Sequence, residues 1–228
     1  EIEKFVKAFR ELSNRIFELQ SYIPMDEIPE ENEWSSTFEN LVGDEITPKW
    51  YMLFNPRQLL VLAELIKYVA ERIKELYEEK GELGIASMLY IAFALDKMAD
   101  YNTLATHWQG SGFKTGIAHT MRGEQTLDFR AEYCECNRID LTLEWALEPE
   151  LAENRKFTKT AGGILPVLRF LTDQFKENKN ENVRVILGDA TKLSEIIDEK
   201  IDVINVDPPY YEQVIYTDKI EIFWVILR

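Results

Sequence analysis

Only two cysteines occur in the 228 residues, Cys134 and Cys136. One residue separates them, too little for an ordinary disulfide, and no partner set completes a zinc site around them. A disulfide-stapled secreted domain is therefore not expected, no metal is assigned, and the cytoplasmic compartment is. Long apolar runs are also missing. The longest uncharged apolar stretch covers residues 85–95, whereas a bilayer-spanning helix needs about 20 residues; no membrane partner and no signal peptide are expected. Histidine is scarce, with His107 and His119 the two in the chain. Nothing near them in sequence pairs with either, so neither reads as a general base. Positive charge is in short supply: 26 Lys and Arg face 41 Asp and Glu, for a net charge of −15. That balance is awkward for a protein that holds nucleic acid, because phosphate contacts supply much of the affinity.

The distribution of charge softens the objection. Asp26, Glu27, Glu30, Glu31, Glu33, Glu39, Asp44 and Glu45 fall within residues 26–46, which carry no Lys or Arg. This stretch reads as a solvated acidic loop facing away from any phosphate. Residues 101–130 hold both histidines with Lys114, Arg122 and Arg130 against Glu124 and Asp128. Residues 151–170 carry Arg155, Lys156, Lys159 and Arg169 against Glu153. Lys114, Arg122, Arg155, Lys156 and Lys159 are thus the candidate nucleic-acid contacts, with scattered surface charge as the plainer reading. Trp108 and Phe113 are expected as core aromatics, with wedging or stacking against bases as the alternative.

Phe5, Phe9, Leu12, Ile16 and Leu19 recur at helical spacing and predict an amphipathic helix over residues 3–20. Residues 21–49 are proline-punctuated and acidic, which predicts a long loop. Asn55-Pro56 is a helix start, and the apolar period runs from Leu59 to Leu76 before a stop at Gly81. A more apolar helix is expected over residues 85–98, and another over residues 164–176. Residues 101–160 show weak periodicity and predict short strands or loops. No internal repeat is present.

Toward the end of the chain, Val183-Arg184-Val185-Ile186-Leu187 and Ile201-Asp202-Val203-Ile204-Asn205-Val206 read as two buried strands. Asp189 stands as N-cap of a helix between them, so the two strands form a parallel βαβ crossover. The second strand delivers Asp207-Pro208-Pro209-Tyr210 to the carboxyl end of the sheet, where such folds keep their ligands. Asp207 is pushed toward extended backbone by the proline after it, and Pro208 is restricted in the same way by Pro209. Neither proline has an N–H, so the loop presents a carboxylate and a main-chain oxygen that its own prolines cannot satisfy. An incoming amino group fits that pair. Two acceptors on its hydrogens favour a pyramidal nitrogen with its lone pair turned toward an electrophile. Tyr210 offers a flat face to an unstacked base, worth roughly 1–3 kcal/mol in comparable settings, and a duplex base must be flipped to reach it.

This tetrapeptide resembles the catalytic loop of S-adenosylmethionine-dependent amino-methyltransferases. With Asp in first place it is similar to the adenine-N6 branch, although cytosine-N4 enzymes and guanine-N2 RNA enzymes use close relatives. The resemblance extends to a group of large adenine-specific DNA methylases. It runs through Tyr211, Val214 and Tyr216 into Phe223-Trp224-Val225-Ile226-Leu227-Arg228, through Leu53-Phe54-Asn55-Pro56-Arg57-Gln58-Leu59, and through residues 96–102 with Tyr101-Asn102. Glu132-Tyr133, Glu135 and Asn137 form a fourth patch. The resemblance implies that Asp207 and the Pro208 carbonyl orient the amine, that Pro209 stiffens the corner, and that Tyr210 stacks the flipped base. It also implies that Asp189 lies beside the cofactor.

The family's glycine-rich cofactor loop has no counterpart here. Thr160-Ala161-Gly162-Gly163-Ile164 follows no convincing strand and reads as a helix-start turn. The chain begins without Met and stops inside an apolar run, so it looks like an excerpt whose cofactor half lies in the same or another chain. Binding of S-adenosylmethionine by this stretch alone is expected to be weak or absent. The expected fold class is α/β, a partial Rossmann-like methyltransferase sheet with a large, mainly helical insertion or preceding domain. The expected divisions are an N-terminal helix and acidic loop (residues 1–49), a helical target-recognition region (residues 50–160) and a partial methyltransferase domain (residues 161–228). The expected function is part of a DNA adenine-N6 methyltransferase, with restriction–modification as the setting the resemblance implies. An RNA or cytosine-N4 enzyme, and a catalytically silent DNA-binding or assembly module, are the alternatives.

Overall fold

Asn55 starts the longest of the described helices, and in the computed structural model it does so with a complete capping box. Its side chain accepts from the main-chain N–H groups of Arg57 (2.8 Å) and Gln58 (3.0 Å), while Gln58 Oε1 accepts from the Asn55 N–H at 3.0 Å. These bonds satisfy donors that every helix start leaves open, and Pro56 wastes none. The helix α4 (Pro56–Lys80) ends at Gly81, whose φ of +59° suits a residue without a side chain. Next, α5 (Glu82–Asp100) packs against α4. Gly84 permits this close turn, because a Cβ there would stand 2.1 Å from the Leu76 carbonyl oxygen.

The structure describes residues 2–43, 45–109, 116–120, 129, 133, 143–148, 163–177, 186–198, 200–208 and 215–228. The amphipathic start forms α1 (Ile2–Asn14) and the single turn α2 (Ile16–Leu19), with α1 laid against α4. Arg15 reaches both Glu18 and Glu64, and Lys67 of α4 also pairs with Glu18. The predicted acidic loop contains a helix, α3 (Glu33–Val42). Its acidic side chains are exposed, but Trp34, Ser35 and Phe38 are buried. Asn32 caps it by accepting from the Trp34 N–H at 3.0 Å.

The core gathers Leu19, Trp34, Phe38, Trp50, Leu53, Leu62 and Leu95 with Ile222 and Ile226 from the last helix, α9 (Tyr216–Leu227). Phe129 joins it, 4.6 Å from Phe38 between ring centres in an edge-on contact. Between these parts lie α6 (Leu143–Leu147), α7 (Ile164–Glu177) and α8 (Leu193–Ile196). The sheet among the described residues is one antiparallel pair, β1 (His107–Gln109) with β2 (Gly116–Ala118).

The described fold is therefore mainly helical with a small sheet, and no parallel Rossmann-like sheet is seen in it. Residues 200–208 have no regular secondary structure, and Val203, Ile204 and Val206 are exposed. The same holds for Ile186 and Leu187, while Val183, Arg184 and Val185 lie outside the described residues. β-Branched residues favour an extended chain, but a strand exists only when a neighbouring main chain completes its ladder.

Candidate functional site

Asp207 and Pro208 stand at the surface, at the end of the exposed segment 200–208. Among the described residues, no hydrogen bond or ion pair engages the Asp207 carboxylate. Pro209 and Tyr210, along with Tyr211 and Val214, lie outside the described residues. The chain re-enters the core with α9, which packs on α5. Two side-chain contacts fix the start of that helix. Asn32 Nδ2 donates to Glu221 Oε2 at 2.8 Å, and the Glu33 N–H donates to Asp218 Oδ2 at 2.9 Å.

Asp189 is the N-cap of a short 3-10 turn (Ala190–Lys192) that leads into α8. Its Oδ1 accepts from the Thr191 N–H at 2.9 Å and from Thr191 Oγ1 at 2.8 Å. The Thr191 hydroxyl, then its N–H, hold the carboxyl below the usual carboxylate range. S-adenosylmethionine finds no complete cradle among the described residues. The Asp189 carboxylate is engaged by Thr191, and a Cβ at the neighbouring Gly188 would meet Ile196 Cδ1 at 2.3 Å. That glycine accommodates a side chain of this same chain rather than opening toward a ligand.

The candidate cationic contacts Lys114, Arg122, Arg155, Lys156 and Lys159, as well as Arg130, Phe113 and both cysteines, lie outside the described residues. Arg169 of α7 is taken up by both carboxylate oxygens of Glu148. Trp108, expected in the core, is instead 54% exposed on β1.

The end of α5, within the 96–102 patch of the resemblance, carries a group of side chains whose mutual contacts the sequence did not reveal. Asp100 Oδ2 lies 2.9 Å from His119 Nδ1, and the Asp100 carbonyl accepts from the Thr120 N–H (2.7 Å) and Oγ1 (2.6 Å). Thr103 and Thr120 share a hydroxyl hydrogen bond of 2.5 Å. Tyr101 sets its ring 5.3 Å from the His119 ring, tilted by 35°. Burial first, then the charge of Asp100, raises the Tyr101 pKa. One turn earlier, burial pushes the Asp96 carboxyl up to about 8, and its buried Oδ1 has no hydrogen-bond partner among the described residues. Asn55, buried at the start of α4, donates from Nδ2 to the Tyr133 hydroxyl at 3.3 Å. Asp100 and His119 are far apart in sequence, and no local pattern marks them as partners.

No set of three or more His, Cys, Asp or Glu side chains among the described residues could hold a metal ion. No helix among them is long and apolar enough to cross a membrane. No protein-family model, curated protein or solved structure matches this chain.

Proposed function

We propose that the chain is the base-orienting part of a DNA adenine-N6 methyltransferase, which moves a methyl group from S-adenosylmethionine to a flipped-out adenine. The observation that carries this reading is the exposed Asp207-Pro208 pair, which offers a carboxylate and a carbonyl beside prolines that have no N–H to give. Asp207 and the Pro208 oxygen accept the two amine hydrogens, and Tyr210 cushions the ring of the extruded base. The methyl donor is held by parts other than the described residues. Exposed Val203, Ile204 and Val206 just ahead of the loop support this division, since a β-branched run of this kind gains by pairing with a partner strand.

A second reading is favoured by the incomplete cofactor cradle around Asp189 and Gly188: a DNA-binding or assembly module without methyl transfer of its own. Asp207→Ala separates the two. In the full-length protein the substitution is expected to abolish methyl transfer while leaving DNA affinity largely unchanged. Methyl transfer retained by Asp207→Ala removes the assignment of this loop.

A further inference from the structure

We draw no further inference here: the strongest candidate, the apolar groove between α5 and α7 lined by Tyr90, Leu168, Leu171 and Phe175, is an unpartnered face, and nothing among the described residues shows what covers it.

Discussion

Asp96 is the described carboxyl that burial perturbs most. Burial lifts its carboxyl from the ordinary 3.8 to about 8. An acid with a raised folded-state pKa binds its proton more tightly in the folded chain, so its stabilising contribution is complete below 3.8 and fades as pH climbs toward 8. Within that window stability is expected to fall by up to about 1.4 kcal/mol per pH unit. Asp96→Asn removes the titration. Thermal melts of the wild type should drop in Tm from mildly acidic to mildly alkaline buffer, while those of Asp96→Asn stay flatter. Parallel curves would show that Asp96 finds a partner in solution. That burial was not legible in the sequence, where Asp96 opens the 96–102 patch with nothing to mark its carboxyl as enclosed. By contrast, the role of Asn55 was, because a cap works within three residues of its own position.

Among the elements, α4 was the most readable because each of its boundaries is local: Asn55-Pro56 opens it and Gly81 closes it. The same logic failed for α3, whose acidic and proline-rich surroundings concealed Trp34 and Phe38 one turn apart on a buried face. The opposite error arose at residues 201–206, where a run of Val and Ile predicted a strand. Local preference was read correctly there, but the ladder partner that makes a strand is a non-local fact. Asn32 shows how such non-local facts enter a helix boundary. It caps α3 through Trp34 and also donates to Glu221 of α9. Asn32→Ala should therefore cost more than the ~1 kcal/mol of a lone cap. Hydrogen–deuterium exchange should quicken in both α3 and α9. Faster exchange in α3 alone would mean that the Asn32–Glu221 contact contributes nothing.

At the scale of the whole molecule, the core joins Leu19 near the start of the chain to Ile226 near its end. That union was not legible from sequence, since nothing in the acidic stretch or in the aromatic last helix announces that Trp34 and Ile222 meet. The last helix, α9, packs on α5, the helix that ends at Asp100. Within residues 26–46, Glu27, Glu30, Glu31, Glu33, Glu39 and Glu45 are exposed.

The central claim is that Asp207-Pro208-Pro209-Tyr210 presents adenine's amino group for methylation. It is tested most directly by incubating the full-length protein with methyl-labelled S-adenosylmethionine and DNA of mixed sequence, digesting to nucleosides and identifying the labelled one. The account predicts label in N6-methyladenine; label confined to cytosine, label found in RNA but not DNA, or no label at all would contradict it.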